Sequence, residues 1–202
     1  MSDKETLQVY AKKAEEYAKI LGDSGSGRYL RAFMAELPEG AHVLDYGCGI
    51  GNAAAAMRDA GLRVDAWDAS PEMAELGRAR YGIEIEIRTF ETLDAAETYD
   101  GIYANFSLLH APKSDMPGHL ARIHAALKPG GLLHFGTKLG TGEKRDALGR
   151  FYAYYSDEEI TGLLEAAGFS VTKRDFGEEV GLSGSLDPWI ILQARKNAQD
   201  HD

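Results

Sequence analysis

The stretch Val43-Leu44-Asp45-Tyr46-Gly47-Cys48-Gly49-Ile50-Gly51 decides the fold class. A short apolar run ends in an acid, three alternating glycines follow, and Asn52 to Arg58 is then rich in helix-favouring residues. This order indicates a strand, a tight turn and a helix, the unit that binds nucleotides in α/β sheets. Glycine suits the turn because it adopts backbone angles that other residues resist and lets a ligand approach the chain closely. The segment therefore predicts a site for a nucleoside-bearing cofactor.

The spacing of these glycines narrows the kind of cofactor. Dinucleotide sites use Gly-x-Gly-x-x-Gly and leave a helix N-terminus open to a pyrophosphate. Here the pattern is Gly47-x-Gly49-x-Gly51, and the carboxylate of Asp45 directly ahead of it would repel a phosphate. An acid at this place suits a cofactor with a cationic amino-acid end and no phosphate, and S-adenosylmethionine (SAM) is such a molecule.

A second acid, Asp68, stands at the end of the next predicted strand. It follows the glycine turn at about the twenty-residue interval at which an acid binds ribose hydroxyls. Sites for NAD and for SAM share this acid, so it does not separate them by itself. Its combination with Asp-x-Gly-x-Gly-x-Gly, and with the run Asp68 to Met73, favours SAM over NAD.

With these motifs the chain resembles the class I SAM-dependent methyltransferases over nearly its whole length. Tyr99 to Tyr103, as a fourth strand, and Leu127-Lys128-Pro129-Gly130-Gly131, as the turn before a fifth, belong to the same resemblance. Within the family the chain is more similar to a bacterial branch of small methyltransferases labelled tellurite-resistance-like. That likeness depends on Leu108-Leu109-His110 and on Lys138 to Glu143.

The fold class expected is α/β. Strand and helix patterns alternate along the chain, and this alternation predicts a mainly parallel sheet. The resemblance implies more: a three-layer α-β-α Rossmann-like methyltransferase fold with a seven-stranded sheet. It implies the strand order 3-2-1-4-5-7-6, with strand 7 antiparallel.

Length and composition set outer bounds on the protein. The chain of 202 residues fits one SAM-dependent methyltransferase domain, expected over 1–196, in which 1–37 forms N-terminal helices that cap the cofactor cleft and 197–202 is a disordered tail. A net charge of −10, with acids spread along the chain, disfavours nucleic acid as a partner. A single cysteine, no apolar stretch near about 20 residues and no signal-peptide core predict a cytoplasmic protein without a membrane segment. A small-molecule methyl acceptor and a monomer or homodimer are expected.

The expected cofactor contacts come from the N-terminal helices and from the strand ends that face the cleft. They are Tyr10, Arg28, Asp45, Gly47, Gly49, Asp68, Ala69, Met73, Thr89, Phe90, Glu91 and Asn105. Asp45 is expected near the ammonium group of the cofactor, Asp68 at the ribose and Met73 against the adenine. Many relatives have an aspartate where Thr89 stands, so the contact to the adenine amino group is open among Thr89, Glu91 and the backbone.

The acceptor side carries fewer signals. His110 is the candidate general base, and its other interpretation is a structural hydrogen-bonding group. Lys138, together with Arg145 and Arg150, is expected to hold an anionic or soft acceptor, and Tyr155 is expected to point inward from the aromatic run Phe151 to Tyr155. The accepting atom stays open among O, N, S and a metalloid, and no metal site is predicted.

Three functions are carried forward. The first is a methyltransferase that uses SAM, releases S-adenosylhomocysteine and acts on a small molecule. The second is a non-catalytic SAM-binding or regulatory protein on the same fold, suggested by the lack of an unambiguous catalytic base. The third is a nicotinamide-dependent oxidoreductase, which rests only on the shared strand-turn-helix unit.

Overall fold

The computed structural model describes residues 3–21, 27–181 and 184–197, and it describes only the backbone of residues 14–21. The α-helices in these ranges are α1 (Lys4–Leu21), α2 (Arg28–Met34), α3 (Asn52–Asp59), α4 (Pro71–Tyr81), α5 (Met116–Ala126) and α6 (Asp157–Ala166). The strands are β1 (His42–Tyr46), β2 (Arg63–Asp68), β3 (Glu86–Ile87), β4 (Tyr99–Asn105), β5 (Leu127–Lys138), β6 (Glu143–Arg145), β7 (Phe151–Ala153), β8 (Phe169–Val180) and β9 (Leu186–Lys196). Residues 198–202 of the predicted tail lie outside the described residues.

One sheet of seven strands organises the molecule, in the order β3-β2-β1-β4-β5-β9-β8. The pairs from β3 to β5 are parallel, whereas β9 is antiparallel to both of its neighbours. The order differs from the predicted 3-2-1-4-5-7-6 in one detail, since β6 and β7 are additional strands that form a separate two-stranded sheet. Without them in the count, the predicted order and the antiparallel seventh strand are confirmed. Each extra strand has 3 residues, too few to show a periodic pattern in the sequence.

Helices cover both faces of this sheet. Successive residues of a strand point to opposite faces. Leu44 and Ile102 pack in a cluster with residues of α5 and α6, whereas Val43 and Tyr103 pack in another cluster with residues of α2 and α3. The result is the predicted three-layer α/β fold with its core on both sides of the sheet.

The segment Leu127–Gly131, predicted as a turn, is the start of β5. Tyr99 of β4 pairs with Leu127, and Gly101 pairs with Leu132, so the residues between these pairs bulge out of the ladder. Helix α5 therefore runs into β5 without an intervening loop.

The parallel strands end at one edge of the sheet, which positions the candidate site. The glycine turn follows β1, Asp68 ends β2, Asn105 ends β4 and Lys138 ends β5. Strand β1 has β2 on one side and β4 on the other, so the strand order reverses here, and ligands of open α/β sheets bind at such a switch point. Because β9 is antiparallel to β5, it begins at the same edge, where Trp189 pairs with Lys138.

In the part of the chain that the structure describes, the helices are all too short or too polar to cross a bilayer.

Candidate functional site

The glycine turn after β1 forms the centre of the candidate site. Gly47, Gly49 and Gly51 have φ angles of 76°, 57° and 71°, in the left-handed region that glycine tolerates. A Cβ on Gly47 would lie 2.4 Å from the Cβ of Ser107, so the turn also needs glycine for space. Ser107 was not predicted, and it donates its hydroxyl hydrogen to the carbonyl of Tyr46 at 2.6 Å. Ser107, just beyond the end of β4, thus sets the width of the turn after β1.

The carboxylate of Asp68 joins this turn to the start of α4. Oδ2 accepts the backbone N–H of Gly49 at 2.8 Å, and Oδ1 accepts the backbone N–H of Ser70 at 2.9 Å. Burial raises the pKa of Asp68 to about 6, and these two hydrogen bonds oppose that rise. A carboxylate held from two sides, with acceptor capacity left over, suits a diol such as ribose.

Asp45 lies near the end of the neighbouring strand β1 and is more deeply buried than Asp68. The backbone N–H of Ala54 donates to its carboxylate, whereas Oδ2 has no partner among the described residues. Burial raises the pKa of Asp45 to about 7, and the charge of Asp68 adds to the rise. A buried acceptor without a partner is costly for the protein alone, so its geometry favours a ligand with a cationic donor.

Two cavities extend along this edge of the sheet. The small cavity, about 90 Å³, extends from the glycine turn toward β2 and β3. The large cavity, about 500 Å³, extends from the same turn toward β4, β5 and β9. The residues that line both are Tyr10, Gly47, Gly49, Phe106 and His110. The cleft is thus one site with two compartments.

The small cavity brings together the residues predicted to hold the nucleoside. Its predicted lining residues are Asp68, Ala69, Met73, Thr89, Phe90 and Glu91. The carbonyl of Phe90 accepts the hydroxyl of Tyr46 at 2.6 Å, which places the turn after β3 against β1. Arg88 was not predicted, and its guanidinium lies 3.7 Å from the ring centroid of Trp67 in the wall of this cavity.

Tyr10 and His110 stand where the two cavities meet. Nδ1 of His110 lies 2.7 Å from the carbonyl oxygen of Phe151, which can only accept, so Nδ1 carries the hydrogen. Nε2 is then the acceptor for the Tyr10 hydroxyl at 2.9 Å, and Arg150 donates to that hydroxyl at 3.1 Å. Desolvation lowers the pKa of His110 to about 4, with a contribution from the nearby Arg150 cation. His110 is therefore neutral at pH 7, and its single lone pair is already engaged.

The chain turns sharply at the end of β4. The amide oxygen of Asn105 lies 3.0 Å from Nε2 of the buried His134, so this predicted contact is held from the neighbouring strand β5. Phe106, which follows, has a φ of 54°, unusual for a bulky residue. Its ring lines both cavities. Backbone strain at such a place is typical of ligand sites.

Arg28 and Lys138 both line the large cavity, and each already has a carboxylate partner. The exposed Arg28 pairs with Asp175 at 2.9 Å. The mostly buried Lys138 pairs with Asp187 at 2.5 Å. Both cations predicted to bind ligands are therefore already paired within the protein.

Two predicted acceptor contacts are not brought to the cleft. Arg145 is exposed and lines neither cavity; it pairs at 2.8 Å with Asp3, which lines the small cavity. Tyr155 is buried in the main core. Alternate residues of an extended chain point to opposite sides, so Tyr152 reaches the large cavity where Tyr155 does not. Arg150, which was predicted together with Arg145, does line the large cavity.

The large cavity has two further aromatic walls that were not predicted, Tyr29 and Trp189. Trp189 reaches the site only because β9 pairs antiparallel with β5. No local signal in the sequence marks either residue, since each is placed by an element far away in the chain.

Comparison with known proteins adds sequence and structural relatives. Residues 14–174 match the family model described as Methyltransferase domain. The chain is 32% identical to carboxy-S-adenosyl-L-methionine synthase of Geobacter metallireducens over 63% of this chain and 54% of that protein. It is 29% identical to O-methyltransferase cnsE of Penicillium expansum over 78% of this chain and 61% of that protein. The chain thus spans little more than half the length of these two relatives.

A solved structure matches over more of the chain. The 1,6-didemethyltoxoflavin-N1-methyltransferase of Burkholderia thailandensis, with bound 1,6-didemethyltoxoflavin and S-adenosylhomocysteine, superposes with a TM-score of 0.76 and 26% identity. The match covers 96% of this chain and 88% of that one.

Proposed function

The chain belongs to the methyltransferase-domain family, and from this premise we propose that it transfers a methyl group from SAM to a small-molecule acceptor, releasing S-adenosylhomocysteine. The observation that carries the proposal is Asp45, a buried carboxylate with an unpartnered oxygen beside a glycine turn. A cofactor with a phosphate beside this carboxylate would be repelled, whereas an ammonium group would satisfy it. Family membership also favours the methyltransferase over the oxidoreductase interpretation.

The residues of the cleft fit SAM. Asp45 would bind its ammonium group, Asp68 its ribose hydroxyls, and the small cavity its adenine. Gly47 and Gly49 line both cavities, and the lack of side chains there would let the backbone approach the methionine part. When bound, SAM supplies a methyl group on a cationic sulfur: a lone pair of the acceptor bonds to the methyl carbon, and the carbon–sulfur bond breaks with its electron pair left on sulfur.

The two compartments suggest separate binding places for the cofactor's nucleoside and for the acceptor. The nucleoside occupies the small cavity, and the acceptor enters the large cavity beyond the methionine part. Tyr10 and His110 line both, so their hydrogen bond lies close to the point of transfer. Exclusion of water and alignment of the reactants are the main contributions of such a site.

His110 is proposed as a positioning residue and not as the general base. Its Nε2 lone pair accepts the Tyr10 hydroxyl, and a pKa of about 4 makes it a weak base at neutral pH. The hydrogen bond from Nδ1 to the Phe151 carbonyl keeps the ring in one orientation. The acceptor is then expected to lose its proton to bulk solvent after the methyl group has been transferred.

Three finer statements belong to the same proposal. The likeness of Leu108–His110 and Lys138–Glu143 to the tellurite-resistance-like branch is kept as a hypothesis about kinship and does not name the acceptor. A small acceptor is supported by the relatives, one of which holds 1,6-didemethyltoxoflavin. We expect the protein to act as a monomer or homodimer, without nucleic acid.

Parallel calorimetric titrations with SAM, S-adenosylhomocysteine and NADH test the proposal. We expect micromolar binding of both sulfur compounds and no binding of NADH. Binding of NADH alone would contradict it. Binding of SAM without turnover of any compound in a broad acceptor panel would support the non-catalytic alternative instead.

A further inference from the structure

We infer that the methyl acceptor is an uncharged aromatic molecule, held in the large cavity between aromatic side chains and free of carboxylate, sulfonate and phosphate groups. This inference rests on the proposed function and specifies its acceptor. It departs from the anionic or soft acceptor that the sequence suggested.

Aromatic rings form the walls of the large cavity. Tyr29, Phe106, Tyr152 and Trp189 all line it. The ring of Trp189 meets that of Tyr29 at a centroid distance of 5.7 Å and an interplanar angle of 85°, and that of Phe106 at 6.3 Å and 83°. Rings set edge to face in this way leave faces and edges on which a planar ligand can stack. At about 500 Å³ the cavity has the size of small-molecule sites.

The backbone of β8 holds Trp189 in place. Gly177 pairs with Trp189 across the β8–β9 ladder. A Cβ on Gly177 would lie 2.2 Å from Cζ2 of the indole, so the ring lies directly on the glycine backbone. The aromatic wall is therefore built into the sheet and does not depend on a free side-chain rotation.

The cations of the large cavity are already neutralised. Lys138 pairs with Asp187 at 2.5 Å, and both side chains are mostly buried. Arg150 pairs with Asp146 at 2.7 Å, with side chains 3% and 9% exposed. Both cations also lie against the ring of Tyr152, with centroid distances of 4.1 Å and 5.2 Å.

An anionic acceptor gains little from cations in this state. It would have to displace a buried carboxylate from its partner and lie near the negative charges of Asp187 and Glu179 in the same cavity. Arg28 offers no alternative, because it is exposed, screened by solvent and paired with Asp175. The cavity is therefore expected to stabilise an uncharged acceptor through contacts with its aromatic rings.

Fluorine NMR of protein labelled with 5-fluorotryptophan tests the inference. The chain has two tryptophans, of which Trp67 lines the small cavity and Trp189 the large one. A Trp189→Phe variant assigns the two signals. Saturation with S-adenosylhomocysteine is expected to move the Trp67 signal, and this response tests the cofactor separately from the acceptor.

Three probes of one skeleton are then titrated into the loaded protein: 2-naphthol, decahydro-2-naphthol and 6-hydroxy-2-naphthoate. We expect 2-naphthol to move the Trp189 signal and to bind about three- to tenfold more tightly than the saturated alcohol, because ring contacts are lost in the latter. The carboxylate should bind about tenfold more weakly or worse. Equal binding of the saturated alcohol, tighter binding of the carboxylate, or no response of Trp189 to any probe would each overturn the inference. No response of Trp67 to S-adenosylhomocysteine would instead contradict the proposed function.

A charge variant tests the neutralisation argument directly. Asp187→Asn leaves Lys138 without its carboxylate, so the preference of 2-naphthol over the naphthoate is expected to narrow by about tenfold. Glu84→Gln is the control, because it frees the exposed Arg78, which lines neither cavity, and should leave the preference unchanged. A melting curve first establishes that Asp187→Asn is folded. If the folded variant still prefers 2-naphthol over the naphthoate to the same extent, ion pairing of Lys138 does not exclude the anion.

Discussion

The hydroxyl oxygen of Tyr10 lies 2.9 Å from Nε2 of His110, although 100 residues separate them in sequence. The contact joins the first helix to the loop after β4 at the border of the two cavities. It makes the N-terminal helix part of the candidate cofactor site.

Replacing Tyr10 with Phe should weaken SAM binding by about 1 kcal/mol. The change leaves Nε2 of His110 without its donor and removes one acceptor of Arg150, and each lost hydrogen bond has about this value. Calorimetry measures the affinity, and Tyr81→Phe is the control because Tyr81 lines neither cavity. An equal loss of SAM affinity in both variants would show that the hydroxyl of Tyr10 has no specific role in the site.

SAM should bind more tightly as the pH rises. The pKa values of about 7 for Asp45 and about 6 for Asp68 mean that both carboxyls lose protons in this range, and the ammonium group of SAM favours the ionised form. Below about pH 6 the affinity should fall by up to about tenfold per pH unit for each carboxyl that must ionise. Titrations in buffers of different ionisation enthalpy should detect proton release at pH 6.5. In Asp45→Asn the remaining rise should centre near the Asp68 pKa of about 6, and an unaltered profile would contradict the assignment.

The raised pKa of Asp45 also predicts a cost to stability without cofactor. The pKa of Asp45 is about 7 in the folded protein, against an ordinary value of 3.8. The free energy of unfolding is therefore unaffected at low pH, where the carboxyl is neutral in both states, and it falls as the pH rises toward 7. Asp45→Asn removes the buried charge and should raise the melting temperature at pH 8, while at pH 4 the two proteins should melt alike. A variant that melts lower at pH 8 would show that the carboxylate is paired in the free protein.

Gly47→Ala should abolish SAM binding and lower the free energy of unfolding by about 1 to 3 kcal/mol. Its Cβ would lie 2.4 Å from the Cβ of Ser107, and its φ of 76° resists a side chain. Gly61→Ala is the control, since Gly61 has a φ of 89° and open space around its Cβ position. Both variants place a side chain at a positive φ, but only Gly47→Ala also adds a steric clash. Chemical denaturation and calorimetry on the two variants therefore separate the effect of φ from the effect of the clash. Equal effects in both variants would refute the steric part.

Gly177→Ala should disturb the acceptor cavity and leave the cofactor site intact. The new Cβ would overlap the indole of Trp189, whose ring must move toward the cavity. We expect a changed Trp189 fluorine signal with unchanged affinity for S-adenosylhomocysteine. Gly162→Ala, which meets nothing within 4 Å, serves as the control for a glycine replacement as such. An unchanged Trp189 signal would show that the backbone of β8 shifts and the indole ring stays in place.

The nucleoside half of the site was largely predictable from local sequence. Gly47, Asp68 and Thr89 each stand at the end of a strand that its own pattern predicts, and parallel strands bring their ends to one edge. Cofactor binding at these residues is still a prediction, but all of them line the small cavity. The role of Ser107 could not be predicted, because it depends on the width of the glycine turn after β1, which is distant from Ser107 in the sequence.

The acceptor half was not predictable in the same way. Of the predicted acceptor residues, Arg150 lines the large cavity but Tyr155 and Arg145 do not. Tyr152 faces the cavity in place of Tyr155, because alternation along β7 and the chain beside it decides which side chains face inward. The ion pair of Lys138 depends on Asp187, which lies 49 residues further along the chain.

The sequence by itself determined the α/β fold, the glycine turn and the two acids beside it, because backbone angles and strand periodicity are properties of neighbouring residues. Only the tertiary structure decided that the cleft has two compartments, that its cations are paired and that Trp189 forms a wall. Ion pairs and cavity walls arise from strand register between distant segments, and register is set by packing of the whole sheet.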